Sequence, residues 1–577
     1  MHAHGKRQAG ILIPAFSARR TGDLGVGDTL ALRDWIDWAA ENGVAFLQLL
    51  PINENGNDES PYSAVSSAAL DPIYLTLERT ELPWLDERDF ERARTRIGET
   101  AREPKVNYPR VRRIKGDLLE LAWSTFENAG AKLKKEFATF RKQEADWLDD
   151  YCLFRHLMEI HGEELRWDQW PRTCSTPDTA RAFLERQRSR SPDATDYRLG
   201  FFAFRQWLCY RQWRALRKHA DAVGVKLMGD IPIGVAWHSC DVFFQRENFQ
   251  LDWCGGTPAE GGSGDPFVSQ WGQNWGIPLY RWDHMEADGY TWWRQRIKRV
   301  TGIFRMFRLD HILGFYRIYS FPWHPSRNHE FLGLSHHQAA EKTGGHLPHW
   351  QRRPDDTAEN KAANRADGDT RLRGVLKGTK DVDIIAEDLG WVPEYVRPHL
   401  AELDIAGFRI PHWDCNEHGH PTPGAAFPEN SFACYSTHDH DPVSGIWNGC
   451  LGTIRRHFQN PDEVPAWQAH GAHHGLRILS EFAGVPQPDA GPWPEFTEGI
   501  RLRLIKALFS SNSRYAALMV TELFGLYDRI NEPGTTGSQN WGFRVPWTVE
   551  QIRSIPKLSE TSRKLSALIH ITGRAPA

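Results

Sequence analysis

Four short apolar runs of this sequence end abruptly at charged residues, and no other feature constrains the fold as strongly. They occupy residues 226–230, 304–311, 383–388 and 432–439. Apolar runs of this length, bounded by polar residues, are typical of buried parallel strands. Parallel strands that each stop at a carboxylate can bring those groups together at one end of a barrel. The pattern therefore predicts an α/β fold, a (β/α)8 TIM barrel, with acidic side chains gathered at the carboxyl ends of its strands.

Length and charge agree with one large catalytic domain. A single barrel with insertions can use all 577 residues, so residues 1–577 are assigned to one domain. The formal net charge is −4, from 70 basic and 74 acidic residues. This balance lacks the basic surface that nucleic acid or an anionic membrane would require, and neither is expected as a partner.

Tryptophan is unusually abundant, with 25 residues. This number exceeds what a core needs and suggests flat apolar platforms of the kind found in carbohydrate sites, although packing can also absorb many of these rings.

Cysteine usage and hydropathy predict a cytoplasmic protein. The eight cysteines form no Cys-x-x-Cys pair, which in a chain of this size indicates free thiols in a reducing compartment. Residues 1–10 are polar and basic and lack the apolar stretch of a secretory signal. No segment stays apolar and uncharged over the roughly 18 residues of a membrane helix.

The first part of the chain has the pattern of a β-α-β unit. Strands are predicted at residues 11–16 and 44–52, with a helix between them that Asp28 caps and Gly43 ends. Four apolar residues of that helix share one face: Leu32, Trp35, Ile36 and Ala39. The loop at 19–28 is rich in glycine. It could cradle a phosphate, but the lysine of a Walker motif is absent, so an ordinary loop is the main interpretation.

Three segments interrupt the strand pattern and are interpreted as insertions. Residues 78–200 are rich in charge and predict a helical subdomain, and residues 255–275, rich in glycine and aromatics, predict an active-site loop. Residues 340–380 are polar and predict a surface insertion or a mobile segment. The remaining barrel strands are predicted at 405–410 and 516–521.

Two of the strand-end carboxylates have the surroundings that glycoside cleavage requires. One group must protonate the departing oxygen while another meets the developing positive carbon. Asp310 lies two residues after Arg308, and residues i and i+2 of a strand face the same side, so the cation keeps this carboxylate ionised as a nucleophile. Glu387 follows an apolar run without a basic neighbour. Burial would raise its pKa, as a proton donor requires.

Asp439 lies between two histidines and is a candidate for stabilising positive charge. Asp310, Glu387 and Asp439 each also have a simpler interpretation, because an acidic residue at a strand end more often caps a helix or joins an ion pair. The stretch His438-Asp439-His440-Asp441 keeps a metal site open as an alternative. No Gly-x-Ser-x-Gly elbow is present, which argues against a serine hydrolase. Tyr62, on the loop after the second strand, can stack on a sugar ring or pack beneath its own loop.

Several motifs, in one order, resemble those of the amylomaltases, the 4-α-glucanotransferases of glycoside hydrolase family 77. Three carry the acidic residues: Arg308-Leu309-Asp310-His311 with Gly314-Phe315, Ala386-Glu387-Asp388-Leu389-Gly390, and Thr437-His438-Asp439. Others are Gly25-Val26-Gly27-Asp28, Leu50-Pro51, Ser60-Pro61-Tyr62, Gly229-Asp230-Ile231-Pro232, Gly272-Gln273-Asn274-Trp275-Gly276, Pro533-Gly534-Thr535 and Asn540-Trp541. The matches extend from about residue 10 to 545.

The resemblance implies a retaining double displacement on α-1,4-glucans such as maltodextrins and fragments of starch or glycogen. Asp310 would be the nucleophile, Glu387 the acid and base, and Asp439 the stabiliser of the transition state. The implied substrate-binding residues are Arg308, His438, His311, Asp230, Tyr62, Trp275 and Phe267. The family uses no metal and no organic cofactor, and it lacks the C-terminal β-domain of ordinary α-amylases.

The sequence departs from the family pattern at Asp71-Pro72, Ile312-Leu313 and His440, and its loop at 255–267 is longer. These positions surround the expected sugar sites, which leaves the acceptor preference open. Two alternatives to glucan transfer also remain: an α-1,4-glucan hydrolase with the same carboxylates, and a non-catalytic glucan-binding barrel.

Overall fold

The computed structural model describes residues 6–56, 58–259, 265–488, 492–535 and 537–576. Its strands are β1 (Gln8–Leu12), β2 (Phe46–Gln48), β3 (Lys226–Ile231), β4 (Phe249–Thr257), β5 (Gln273–Tyr280), β6 (Met306–Leu309), β7 (Ile318–Phe321), β8 (His349–Gln351), β9 (Asp383–Ala386), β10 (Ala406–Arg409), β11 (Ser431–Ala433) and β12 (Tyr515–Met519).

The helices of the first half are α1 (Thr29–Glu41), α2 (Glu87–Ile97), α3 (Tyr108–Ser124), α4 (Gly130–Gln143), α5 (Ala145–Ile160), α6 (Pro177–Arg190), α7 (Pro192–Ala222), α8 (Cys240–Phe244), α9 (Pro266–Trp271), α10 (Trp282–Ala287) and α11 (Thr291–Thr301). Those of the second half are α12 (His336–Lys342), α13 (Ala358–Val375), α14 (Val396–Glu402), α15 (Val443–Gln459), α16 (Ala466–Ala483), α17 (Glu498–Ser510), α18 (Val520–Phe524), α19 (Val549–Ser554) and α20 (Pro556–Ile571).

Eight parallel strands close into a barrel in the order β1-β12-β11-β10-β9-β6-β3-β2, which confirms the predicted (β/α)8 fold. Its interior is filled by large side chains from successive strands, among them Phe46, Met228, Phe408, Phe432 and Tyr515. A Cβ atom on Gly10 would lie 2.1 Å from the ring of Phe46. Glycine at that position therefore lets the Phe46 ring fill the barrel next to β1.

The strand register sets the positions of the acidic residues. Asp230 of β3 is paired with Arg308 of β6, and Leu309 is paired with Ala386 of β9. Asp310 and Glu387 are the residues that directly follow the paired Leu309 and Ala386. They therefore lie side by side at the carboxyl end of the barrel, where the loops of this fold carry function.

The predicted first helix is confirmed as α1. The Asp28 side chain accepts a hydrogen bond from the backbone N–H of Ala31 at its start, and Gly43, with φ of 75°, follows its end. The flanking strands are shorter than predicted, because β1 ends at Leu12 and β2 covers only Phe46–Gln48. The apolar residues beyond them are buried beneath loops, and an apolar run alone does not distinguish such a loop from a strand.

Residues 78–200 contain α2 to α6 and the start of α7. The predicted boundary at residue 200 lies inside α7, which continues to Ala222 and leads into barrel strand β3. Aromatic rings hold this helical region together. Phe126 packs on Phe204 and Trp207, with ring centroids 5.1 and 5.6 Å apart.

The structure corrects the prediction of a long loop at residues 255–275. Most of this segment forms β4, α9 and β5, and residues 260–264 lie outside the described part of the chain. With β7 and β8, these strands form an antiparallel sheet in the order β5-β4-β7-β8. A Cβ atom on Gly256 would lie 1.9 Å from the carbonyl oxygen of Gln273. Glycine is thus required at position 256 by the close approach of β4 and β5.

Residues 340–380 were predicted to form a surface insertion or a mobile segment. They include instead the strand β8 and the 18-residue helix α13. One face of α13 is buried although its composition is polar. The guanidinium of Arg371 donates to the carbonyl oxygen of Phe315 at 2.8 Å and pairs with Asp367 on the same helix. Internal pairing of this kind lets charged residues be buried, and average composition does not reveal it.

In the described ranges, no helix combines the length and apolarity needed to cross a membrane.

Candidate active site

Arg308 lies at the centre of the acidic cluster at the carboxyl end of the barrel. It is buried on β6, and its guanidinium contacts three carboxylates from three consecutive strand ends. The distances are 2.8 Å from Nη1 to Asp230 Oδ2, 2.7 Å from Nη2 to Asp310 Oδ1 and 3.8 Å from Nη2 to Glu387 Oε2. The contact between Arg308 and Asp310, predicted from their spacing of two residues, is present. One cation therefore holds three acidic groups within a small volume.

The carboxyl groups of Asp310 and Glu387 face each other across the Nη2 atom of Arg308. The two contacts together limit the separation of Asp310 Oδ1 and Glu387 Oε2 to about 6.5 Å at most. Retaining glycosidases hold their two carboxyl groups about 5–5.5 Å apart, and inverting enzymes about 6.5–9.5 Å. The limit fits the retaining arrangement.

Glu387 is buried and held by two backbone N–H groups. Those of His311 and Leu389 donate to its two carboxylate oxygens at 2.8 and 2.9 Å. Burial raises the pKa of Glu387 to about 7 and the negative charge of Asp310 also raises it, while Arg308 and the backbone hydrogen bonds act in the opposite direction. Glu387 can therefore hold a proton near neutral pH, as its apolar run predicted.

Asp230 extends the cluster toward Tyr62 and His438. The Tyr62 hydroxyl lies 2.9 Å from Asp230 Oδ2 and 2.9 Å from His438 Nε2, and the Tyr62 and His438 rings stack at 5.5 Å. Burial raises the pKa of Asp230 to about 7 against the opposing effect of Arg308. The Tyr62 ring thus packs against His438 while its hydroxyl faces the cluster, and its contact with a sugar stays a prediction.

Asp439 reaches the cluster from a loop rather than from a strand end. The predicted strand seven ends earlier, because β11 covers only Ser431–Ala433. Asp439 Oδ2 lies 3.3 Å from His438 Nε2, and Asp439 Oδ1 accepts from Asn531 Nδ2 at 2.6 Å. Burial alone would raise the pKa of Asp439, but His438 and the Asn531 hydrogen bond outweigh it, so the pKa is lowered. Asp439 is thus held as an anion beside a cluster that can carry a proton.

Asn531 was not identified from the sequence. It lies on the loop after the last barrel strand, two residues before the motif Pro533-Gly534-Thr535. Its position beyond a strand's carboxyl end is the signal that could have identified it.

His311 and Trp275 form one edge of the site. Their rings meet edge to face at 4.8 Å, and His311 has a left-handed backbone with φ of 40°. Burial lowers the pKa of His311 to about 4, so its imidazole is neutral, and its Nε2 atom is buried without a partner. A buried polar atom in this state is available to a ligand hydroxyl.

Phe267 does not join this cluster. It lies on α9 and is buried in a separate apolar group with Trp271, Phe321, Trp323, Phe331 and Ala339. An aromatic residue in a glycine-rich segment resembles a sugar platform in sequence, but here the ring fills the space between α9 and the antiparallel sheet. The structure therefore places Phe267 in a core.

The two other sequence alternatives find no matching geometry. In the loop at 19–28, the Arg20 guanidinium is held by Asp28 and Glu78 at 2.9 and 2.6 Å, so its charge is used within the protein rather than for a phosphate. Among the residues that the structure describes, no three His, Cys, Asp or Glu side chains are grouped as a metal site would need.

Proteins of known activity resemble this chain along most of its length. A 4-alpha-glucanotransferase of Chlamydia caviae is 28% identical over 548 residues, which cover 94% of this chain and 91% of that protein. A 4-alpha-glucanotransferase of Thermus thermophilus is 27% identical, over 89% of this chain and 90% of that protein.

Solved structures agree on the fold. The amylomaltase from Streptococcus agalactiae, determined in complex with acarbose, superposes with a TM-score of 0.74 at 20% identity and covers 99% of this chain and 100% of that one. The model of glycoside hydrolase family 77, described as 4-alpha-glucanotransferase, matches residues 13–549, a range that includes every acidic residue of the cluster. The chain therefore belongs to glycoside hydrolase family 77, the family of the 4-alpha-glucanotransferases.

Proposed function

We propose that this chain transfers α-1,4-glucan segments from a donor malto-oligosaccharide to the 4-hydroxyl of an acceptor glucan or glucose. The observation that carries the proposal is the contact of Asp310 and Glu387 with the same Arg308 nitrogen, which keeps Asp310 Oδ1 and Glu387 Oε2 at most about 6.5 Å apart, no farther than the lower end of the inverting range. Membership of the family agrees with it.

In the first step, an oxygen of Asp310 attacks the anomeric carbon of the donor. The bond between that carbon and the glycosidic oxygen breaks, and Glu387 gives its proton to the departing 4-oxygen. The products are a covalent glucosyl ester on Asp310 and a shortened glucan with a free 4-hydroxyl. The Glu387 carboxyl suits this step because burial raises its pKa to about 7, so a large fraction of it holds a proton near neutral pH.

In the second step, Glu387, now ionised, takes the proton from the 4-hydroxyl of an acceptor. The acceptor oxygen attacks the same anomeric carbon, the ester bond to Asp310 breaks, and an α-1,4 bond forms with overall retention. Glu387 ends protonated and Asp310 ends ionised, so the enzyme returns to its starting state.

The remaining residues stabilise charge and hold the sugar. Asp439, held ionised, faces the positive charge that develops at the anomeric centre, and Arg308 positions Asp310. Asp230, Tyr62 and His438 offer a connected set of hydrogen-bond partners to sugar hydroxyls. His311 and Trp275 form the opposite edge.

A digest of maltotriose distinguishes transfer from hydrolysis with the same carboxylates. Transfer gives glucose together with a ladder of chains longer than the starting sugar, because each maltosyl unit that remains after glucose leaves passes to another sugar. Product analysis by chromatography should show this ladder. Hydrolysis would give only shorter chains, and a glucan-binding barrel without catalysis would leave maltotriose intact. Either result would contradict the proposal.

The pH dependence of the first step should follow the proton of Glu387. Because burial raises the pKa of this acid to about 7, its protonated form is lost as the pH rises through that value. We expect kcat/KM for maltotriose to fall about tenfold per pH unit well above pH 7. Initial rates across about pH 5 to 9 measure it. A profile that stays flat from neutral to alkaline pH would show that Glu387 is not the acid.

The proposed partners are α-1,4-glucans, including maltodextrins and fragments of starch or glycogen. A reducing compartment such as the cytoplasm is the proposed location. In support, all eight cysteines are free, and six of them are buried.

A further inference from the structure

An exposed tryptophan follows Glu387 by only four residues. The backbone N–H of Leu389 donates to Glu387 Oε1 at 2.9 Å, and Gly390, with φ of 81°, then turns the chain outward. Trp391 comes next, and 71% of it is exposed. Because successive Cα atoms lie about 3.8 Å apart, the Cα of Trp391 is within about 7.6 Å of that of Leu389. Trp391 therefore lies on the same loop as the proposed acid and base, with its Cα at most about 15 Å from that of Glu387.

Trp391 lies at the rim of a groove with a volume of about 700 Å³. The loop 390–394 forms one wall, and Lys361 of α13 lies on the other, where it pairs with Glu394 at 3.0 Å. Asp355 lines the groove and is bound by Arg317 at 2.6 Å and by the Tyr395 hydroxyl at 3.0 Å. These groups are held in place by the protein itself, so the groove is formed before any ligand binds.

The groove has the chemistry of a carbohydrate site. A sugar presents an apolar face of C–H groups, which an indole ring covers, and vicinal hydroxyls, which carboxylate and guanidinium groups bind. Within the described ranges, no aromatic ring and no cation lies against the Trp391 ring. An indole that is 71% exposed beside these fixed polar groups offers a free apolar face to a ligand.

We propose that Trp391 and this groove bind the sugar units of the acceptor glucan that extend beyond the reaction centre. This inference rests on the proposed function. Glu387 acts on the oxygen of the departing or entering chain, and Trp391 lies farther along the same loop, so a longer chain can extend from Glu387 toward the ring. A long acceptor reaches the groove, whereas glucose occupies only the position beside Glu387. Trp391 therefore raises the preference for long acceptors.

The test compares two acceptors, maltotetraose and glucose, with maltotriose as the donor. In the variant Trp391→Ala, the ratio of the KM for maltotetraose to the KM for glucose should rise about tenfold, which is the expected loss for one stacked ring. Trp391→Phe keeps an aromatic face and should restore most of the ratio. Trp467→Ala is the matched control, because Trp467 is 72% exposed on α16, and its ratio should stay within about twofold of the wild type.

A binding measurement separates this inference from the proposed function. Calorimetric titration of maltoheptaose into the Asp310→Asn protein, with and without Trp391→Ala, should show a Kd about tenfold weaker in the double variant. If the wild type makes no ladder from maltotriose, the proposed function fails while this titration still reports on Trp391. If the ladder forms but the KM ratio and the Kd do not change, the groove does not bind the acceptor. Equal increases of both KM values would also overturn the inference, since they would indicate a disturbed Glu387.

Discussion

Replacing Asp310 with asparagine should abolish glucan transfer, with kcat lowered by at least about 10⁴-fold. An amide keeps the size of the carboxylate but cannot form the glucosyl ester, so the covalent step is lost rather than slowed. The measurement is the initial rate of glucose release from maltotriose. Mass spectrometry of the acid-quenched wild type should in addition find the glucosyl adduct on a peptide that contains Asp310.

The control must separate lost chemistry from lost structure. Asp310 contacts Arg308 at 2.7 Å, and the asparagine leaves that guanidinium with Asp230 as its closest partner. Binding of maltoheptaose by Asp310→Asn should therefore persist, and Asp193→Asn, at an exposed position of α7, should keep the wild-type rate. A transfer rate within about tenfold of the wild type in Asp310→Asn would show that another residue is the nucleophile.

Replacing Glu387 with glutamine should lower kcat for maltotriose by about 10³–10⁴-fold. The amide oxygen can accept from one of the two backbone N–H groups that donate to Glu387, but the amide has no acidic proton to give to the departing oxygen. A donor whose leaving group needs no proton should not be affected by the loss of the acid. With α-maltosyl fluoride, we expect the variant to release one equivalent of fluoride rapidly and then to stall, because no base activates the acceptor.

Azide tests the role of Glu387 as the base. It can attack the ester on Asp310 without losing a proton, so turnover should resume with maltosyl azide as the product. Glu402→Gln is the matched control, because this residue of α14 is exposed and pairs with Arg365 on the surface. If maltotriose and the fluoride were impaired equally and azide had no effect, Glu387 would not be the acid and base.

The fold, and the positions of Asp310 and Glu387 at strand ends, could be predicted from short stretches of sequence. Arg308 and Asp310 share one side of a strand because of the two-residue repeat of β structure, and the ion pair between them follows from that spacing. Glu387 directly follows a buried strand, and its raised pKa follows from burial. Order along the chain was sufficient for both, together with the tendency of parallel strands to end at one face of a barrel.

The misplaced segments have a common cause. Gly255 and Gly256 suggested a loop but lie in a strand, and the polar helix α13 suggested a surface insertion but buries Arg371 by pairing it internally. Phe267 had the surroundings of a sugar platform and lies in a core instead. In each case a partner outside the segment's own sequence neighbourhood contributes to the outcome: Gln273 for Gly256, Phe315 for Arg371 and Phe321 for Phe267, so composition alone does not reveal it.

By itself, then, the sequence determined the alternation of strands and helices, the acids at the strand ends and the family. Only the tertiary structure decided that Arg308 would contact three carboxylates at once, that Asn531 would bind Asp439, and that Trp391 would remain exposed on the loop after Glu387. The physical reason is that these relations depend on register and barrel closure. Both arise when distant strands pair, and that pairing brings charges close enough to shift one another's pKa values.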